Sequence, residues 1–334
     1  MQIKSKIIHV VLTGGVGSRL WPLSRKSKPK QYLEIFDAKS LLELNIERNI
    51  PLTDKVVVVG NVENLDLSIK VLDKFDISHK HIIEATPRNT AAAIAFAAFN
   101  SDKDDILIVT PSDHIIEGTK QYDSAIRHAI DIAKNNYLVT FGILPTKPET
   151  GYGYIEFEEE NVIAFHEKPN QTKAEEFIER GNFYWNSGLF CFKAGLYLEE
   201  LKKQEPTVYE TALQAWNNNV SGLLDHDLSL LIPSISVDYA VMERSQNIKV
   251  VPSHFDWSDL GSFEAVYDYL VSVGHAVDAN GNIEIGVDKH VSFVGLQNCI
   301  VVNTPDALLV VQKENSQDVK QLYQYLESID SPLI

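Results

Sequence analysis

Through the first half of the chain, short aliphatic and β-branched runs alternate with segments of helical period. Residues 7–12, 55–59, 81–84, 105–109 and 137–141 are compact apolar runs bounded by turn or polar residues, and they predict strands. Between them, 40–49, 64–74, 89–99 and 120–134 predict helices. Asn89 or Thr90 would cap the third helix, and Asn135-Asn136 would close the fourth. This alternation predicts an α/β fold whose sheet is mixed, mostly parallel, and covered on both faces. Such sheets bind ligands beyond the carboxyl ends of their strands, so each loop after a strand is a candidate site.

The second half has a different texture. Residues 152–157, 162–166 and 184–192 predict strands, and 172–180 a helix with a Thr172/Glu175 capping box and Gly181 at its end. Helices follow at 196–203 and 206–217, then after Gly261 to about Val271. Residues 279–312 carry Gly281, Gly286 and Gly295 among short β runs such as 299–302 and 307–311. A helix over 317–329 closes this part, with Val319, Leu322, Tyr323, Leu326 and Ile329 on one face. The expected organisation is a catalytic domain over 1–262 and a small C-terminal domain over 263–334. The latter is β-rich, leaves a β-helix-like form open, and ends in the helix.

Composition narrows the function. The 334 residues carry 30 Lys or Arg and 46 Asp or Glu, for a net charge of -16, which disfavours nucleic acid and anionic membrane as partners. The charge is uneven: residues 1–30 hold Lys4, Lys6, Arg19, Arg25, Lys26, Lys28 and Lys30 and no acid. A charge run alone is most simply a solvated loop. Cys191 and Cys299 lie in apolar stretches without a CxxC, which fits buried thiols in a reducing cytoplasm. The first apolar run is too short and too interrupted for a signal peptide, and the uncharged stretch 90–100 is too short to span a bilayer.

The loop after the first strand reads Leu12-Thr13-Gly14-Gly15-Val16-Gly17-Ser18-Arg19. It lacks the third glycine of a dinucleotide fingerprint and the Lys-Ser/Thr of a Walker loop. A glycine turn by itself is a tight corner. Followed by Arg25, Lys28 and Lys30, it suits a triphosphate.

Residues 11–31, VLTGGVGSRLWPLSRKSKPKQ, resemble the signature of the sugar nucleotidyltransferases, in particular the mannose-1-phosphate guanylyltransferases. The resemblance continues through RNTAAAI (88–94), PSDH (111–114), GYGYI (151–155), FHEKP (165–169), WNSGLF (185–190), VDYAVMER (237–244), WSDLGS (257–262), NTPDALLV (303–310) and QDVK (317–320). It implies a Rossmann-like sheet of the nucleotide-diphospho-sugar transferase type. It also implies a reaction, GTP plus α-D-mannose 1-phosphate giving GDP-mannose and diphosphate, with Mg²⁺. Ser18, Ala85 and Ala92 depart from the family's usual Thr, Pro and Pro.

The resemblance assigns roles that chemistry can examine. A sugar phosphate is mostly dianionic near neutral pH and attacks without a general base, so the absence of a Ser-His-Asp or Cys-His set is expected. Arg19 and Lys30 match positions for triphosphate binding and charge stabilisation in the transition state, with Gly14, Gly15 and Gly17 in the same loop. Asp113 follows a strand, where a turn aspartate or a metal ligand would both fit. The resemblance gives it the metal role, shared with Asp259, for which Asp256 competes. His114 reads as a neighbouring structural residue, and His79 and His81 as surface.

Glu84, ending the third strand, suits guanine because a carboxylate accepts from both N1–H and the exocyclic amine, with Arg88, Asn89 and Thr90 alongside. A plain strand-ending glutamate is the competing reading. Gly153, Glu167, Lys168 and Asn186 are implied for the sugar phosphate; Tyr152 and Trp185 read as core or as a sugar platform. Alternatives are another sugar 1-phosphate or nucleotide, or a catalytically silent sugar-nucleotide sensor, which the retained phosphate and metal set disfavours. No phosphomannose isomerase activity is expected. A homodimer is compatible with the appendage, although no interface is legible.

Overall fold

A computed structural model describes residues 5–34 and 38–334; Lys4 of the basic segment lies outside them. The strands are β1 (Ile7–Thr13), β2 (Lys55–Asn61), β3 (His79–Glu84), β4 (Ile106–Pro111), β5 (Ile115–Glu117), β6 (Leu138–Ile143) and β7 (Tyr154–Glu158). Then come β8 (Asn161–His166), β9 (Phe183–Lys193), β10 (Ile248–Ser253), β11 (Asp256–Ser258), β12 (Ile283–Ile285), β13 (Cys299–Asn303) and β14 (Leu308–Gln312). The helices are α1 (Leu41–Asn49), α2 (Leu65–Leu72), α3 (Asn89–Phe99), α4 (Thr119–Lys134) and α5 (Gln171–Arg180). They continue with α6 (Ala194–Gln204), α7 (Pro206–Asn217), α8 (His226–Leu230), α9 (Phe263–Ser272) and α10 (Val319–Ser328).

The chain divides into two compact units that cut across the linear division at 262. One comprises residues 1–14, 45–112 and 116–257; the other gathers 15–44, 113–115 and 258–334. The first unit holds a nine-stranded sheet in the order β3-β2-β1-β4-β9-β6-β10-β8-β7. Strands β3, β2, β1 and β4 are parallel, as strand–helix alternation dictates. The expectation of a mostly parallel sheet fails beyond β4. Strand β9 runs antiparallel between β4 and β6, and β7 and β8 form an antiparallel pair joined by only two residues. A link that short permits a hairpin and forbids a crossover. Strand β7 also pairs with β9, so β9, β6, β10, β8 and β7 close into a small barrel-like ring.

Side chains alternate across this sheet with the period of two that strands impose. Ile8, Val10, Leu107 and Val109 face the core that contains α3, whereas Ile106, Ile108, Val139 and Phe141 face the core built on α4. Helix α3 is buried along Ala91–Phe96 and beyond because its alanines let it lie close to the sheet and to α6 and α7. Two caps differ from expectation. Helix α5 is capped by Asn170, whose side chain accepts from the Lys173 N–H, so the Thr172/Glu175 box does not form. Helix α3 has no side-chain cap, and its first residue, Asn89, is left-handed at φ 71°. Asn135 caps α4 and Gly181 closes α5 in the left-handed region, as the sequence predicts.

The second unit has its own apolar core, in which Leu20, Trp21, Phe263, Val266, Ile300 and Tyr323 are buried together. Its sheet is β12-β13-β14, parallel in the first pair and antiparallel in the second. Among the described residues no helix is long and apolar enough to cross a membrane.

Candidate active site

In the second unit the glycine loop is shaped around one lysine. Gly15 and Gly17 have φ of 86° and 77°, a region open to glycine. A Cβ on Gly17 would lie 2.5 Å from the Lys30 Cβ, so only glycine lets Lys30 pack there. The Lys30 N–H holds the Val16 carbonyl at 3.1 Å. The short turn Ser18–Leu20 then drives Leu20 into the core and leaves Arg19 exposed, without a hydrogen bond or ion pair among the described residues. The N–H groups of Gly15, Gly17 and Ser18 are likewise unused there, which suits an anion.

Lys30 is buried, and its ammonium donates to Asp113 Oδ2 at 2.8 Å and to the main-chain carbonyl of Asp259. An ammonium has three donors, so one remains for an incoming group. Burial would raise the Asp113 carboxyl. The Lys30 charge, His114 and the hydrogen bond from Lys30 outweigh burial and hold it below the usual carboxylate range. His114 Nε2 stands 3.9 Å from Asp113 Oδ1, a neighbouring position. These groups line a cavity of about 520 Å³ with the 15–19 loop, Lys26, Asp259 and Gly261. Asp259 lines it and the exposed Asp256 does not. Its Oδ1 accepts from the Gly261 N–H at 3.0 Å.

The basic segment is not one patch. Arg25 is turned to Asp306 at 2.8 Å and to the Leu333 carbonyl at 2.6 Å, and Lys28 faces Glu34 at 4.0 Å. Of the segment, Arg19, Lys26 and Lys30 line the cavity. Gly14 belongs to the first unit and is not part of the cavity wall.

Among the described residues there is no group of three or more His, Cys, Asp and Glu that could hold a metal by itself. The two carboxylates of Asp113 and Asp259 nevertheless fit magnesium. It takes one or two protein carboxylates and completes its shell with phosphate oxygens and water. The donor set is hard oxygen throughout, with a triphosphate-sized cavity beside it.

The first unit holds the other candidates. Glu84 is 7% exposed, its Oε1 has no hydrogen-bond partner, and burial pushes its carboxyl up to about 7 against a hydrogen bond from the Arg88 N–H. Leaving a carboxylate oxygen buried and unpaired is costly, which favours a missing donor over a strand ending. Arg88 and Thr90 are engaged elsewhere. Arg88 Nε donates to the Ile232 carbonyl at 2.6 Å, and Thr90 Oγ1 accepts from the Val237 N–H at 2.9 Å. Asn89 is exposed, its Oδ1 accepting from the Thr90 N–H at 2.8 Å.

Gly153, Glu167, Lys168 and Asn186 come together beside the β7–β9 seam. The Asn186 N–H donates to the Gly153 carbonyl at 2.8 Å, and a Cβ on Gly153 would lie 2.7 Å from Glu167 Oε2. Lys168 Nζ is 2.6 Å from Glu167 Oε1, an ion pair that raises the lysine. Asp238 of VDYAVMER, which local sequence does not mark as a site residue, completes this group. Its Oδ1 accepts from Asn186 Nδ2 at 2.8 Å. Burial, then the nearby Glu167, raises the Asp238 carboxyl, and Glu243 is raised by burial and by both acids. The available signal was an acid opening an apolar run, Tyr-Ala-Val-Met, which here forms a π-turn over Asp238–Met242. Trp185 is core and meets Tyr152 edge-on at 5.2 Å.

The family model described as nucleotidyl transferase matches residues 8–274, most of the chain. The chain belongs to the nucleotidyl transferase family. A second model, the MannoseP isomerase/GMP-like beta-helix domain, matches residues 275–326. Among relatives of this nucleotidyl transferase, a Salmonella muenchen protein named mannose-1-phosphate guanylyltransferase is 39% identical, over 97% of this chain and 74% of that protein. The alginate biosynthesis protein AlgA of Pseudomonas aeruginosa is 36% identical, over 96% of this chain and 72% of that protein. A crystal structure described as mannose-1-phosphate geranyltransferase from Thermus thermophilus is similar with a TM-score of 0.83 at 28% identity, covering 96% of this chain and 99% of that one. Another, described as mannose-6-phosphate isomerase from Helicobacter pylori, has a TM-score of 0.69 at 38% identity, covering 76% of this chain and 99% of that one.

Proposed function

We propose that this nucleotidyl transferase is a mannose-1-phosphate guanylyltransferase, converting GTP and α-D-mannose 1-phosphate to GDP-mannose and diphosphate. The observation that carries the reading is the buried Lys30 ammonium. It is held by Asp113 and the Asp259 carbonyl at the edge of a cavity whose glycine-loop N–H groups and Arg19 await an anion. The sequence relatives named for this reaction support the choice of substrates.

In this reading a phosphate oxygen of the sugar phosphate bonds to the α-phosphorus in line, and the bond from that phosphorus to the bridging oxygen breaks. The electron pair leaves on pyrophosphate. Lys30, Arg19 and the 15–18 N–H groups hold the triphosphate and neutralise charge that builds on it. Asp113 and Asp259 would hold a magnesium ion, which supplies further charge neutralisation on phosphate oxygens when bound. Glu84 reads guanine, beside Asn89 and Thr90. Glu167, Asp238 and Asn186 would bind sugar hydroxyls, with Lys168 on the phosphate and Gly153 making room.

We assign catalysis to residues 1–262 and treat 263–334 as a small C-terminal domain. A cytoplasmic location suits the two buried free thiols of Cys191 and Cys299. The net charge of -16 argues against nucleic acid as a partner, and a homodimer is proposed with no interface assigned. The test is pyrophosphate release across panels of nucleoside triphosphates and sugar 1-phosphates with Mg²⁺. Release with GTP and mannose 1-phosphate above all other pairs is expected; strong release only with another pair overturns the specificity.

A further inference from the structure

The phosphate cavity has a wall that no motif predicted. Besides the glycine loop, it is lined by Lys320, Tyr323, Gln324 and Glu327, which follow one another at helical spacing on α10. Glu327 is already neutralised, since Lys26 Nζ lies 2.9 Å from its Oε1. Lys320 is exposed and has no ion-pair partner among the described residues. Tyr323 is 4% exposed, and its hydroxyl has no hydrogen-bond partner. A buried phenol without a partner forfeits a hydrogen bond, and a neighbouring ammonium without a counter-ion marks the same spot for an anion.

We propose that α10 is part of the triphosphate site, with Lys320 and the Tyr323 hydroxyl binding the distal phosphates and hence the departing pyrophosphate. This rests on the nucleotidyltransferase reading. Lys30 and Arg19 would then serve the end of the triphosphate where the bond breaks, and α10 would receive the leaving group. On this assignment pyrophosphate binding depends on α10 more than binding of a nucleoside monophosphate does.

The test is direct titration of the full chain with magnesium pyrophosphate and, separately, with GMP. Lys320→Ala and Tyr323→Phe should each weaken pyrophosphate, the lysine variant by about tenfold or more, as expected for a hydrogen bond to a charged group. GMP affinity should stay within about twofold. Tyr323→Phe keeps the buried ring, and Gln321→Ala on the same helix is the folded control, expected to match the parent. In turnover assays the KM for GTP should rise in both variants while the KM for mannose 1-phosphate holds. Parent-like pyrophosphate affinity in either variant overturns the proposal. If the parent chain releases no pyrophosphate from GTP and mannose 1-phosphate, the functional reading fails instead. The titrations still decide the role of α10.

Discussion

Two acidic groups in this molecule hold their charge in opposite ways. Asp113 lies against the Lys30 ammonium, and its carboxyl is held below the usual range. Asp238 lies near Glu167 with an amide for its direct partner, and its carboxyl is raised, as is that of Glu243. The first arrangement is a charge fixed in place before any ligand arrives, suited to a metal and a triphosphate. The second is a buried carboxyl with other acids nearby, which loses energy when ionised and is relieved by donors such as sugar hydroxyls. The two clusters, proposed for phosphate and for sugar, are therefore built on different electrostatics.

The sharpest way to break the comparison is to remove the fixed partner. Lys30→Ala should cut turnover by about 10²–10³, the loss typical of deleting one donor to a charged transition state. Its fold should be retained by circular dichroism. Near-parent pyrophosphate release would take Lys30 out of the mechanism. Asp113→Ala should fall by a similar factor.

Glu84 offers a titration. Its carboxyl sits at about 7 in the free protein, while guanine's donors favour the ionised form. GTP affinity should therefore rise roughly tenfold per pH unit up to about pH 7 and level off above it. Glu84→Gln should flatten that profile and lower the preference for GTP over ATP. A parallel slope in the variant would remove Glu84 as the group responsible.

Asp238→Asn tests the crowded site. The KM for mannose 1-phosphate should rise by about tenfold, with the KM for GTP little changed. Because the folded Asp238 carboxyl is raised, its contribution to stability is present below the ordinary carboxylate range and lost as pH rises through the folded value. The variant should accordingly gain thermal stability relative to the parent at pH 7 compared with pH 4. A Tm difference independent of pH would contradict a carboxyl raised by burial and by its acidic neighbour.

The smallest effect belongs to Arg25. It is engaged with Asp306 and Leu333, so Arg25→Ala should leave the KM for GTP near the parent value. The cost to stability should be within about 1 kcal/mol, as for a partly exposed pair. A large rise in that KM would restore Arg25 to the phosphate site.

What the chain discloses before folding follows from the range of each interaction. Strand–helix alternation and apolar period located most elements, because both are local; β5, β10, β11, β12 and α8, short or without a clear local period, were missed. Helix α3 begins at Asn89 and ends at Phe99, as its pattern requires. The antiparallel turn of β9, the barrel-like ring and the Asn170 cap were not legible, since long-range pairing and competing caps decide them. The same holds at the site. Arg19, Lys30, Asp113 and Asp259 were identifiable by resemblance and do meet around one cavity. That Arg25 turns away, that Asp238 joins the sugar group, and that α10 walls the phosphate cavity depend on partners far along the chain.

The Lys30 contacts span great lengths of sequence: 83 residues to Asp113 and 229 to the Asp259 carbonyl. During synthesis the lysine emerges 229 residues before the Asp259 carbonyl that holds it. At elongation rates of about 5–20 residues per second, that delay is roughly 10–50 s. Over that interval a growing chain carries β1 and the glycine loop without the carbonyl that seats Lys30.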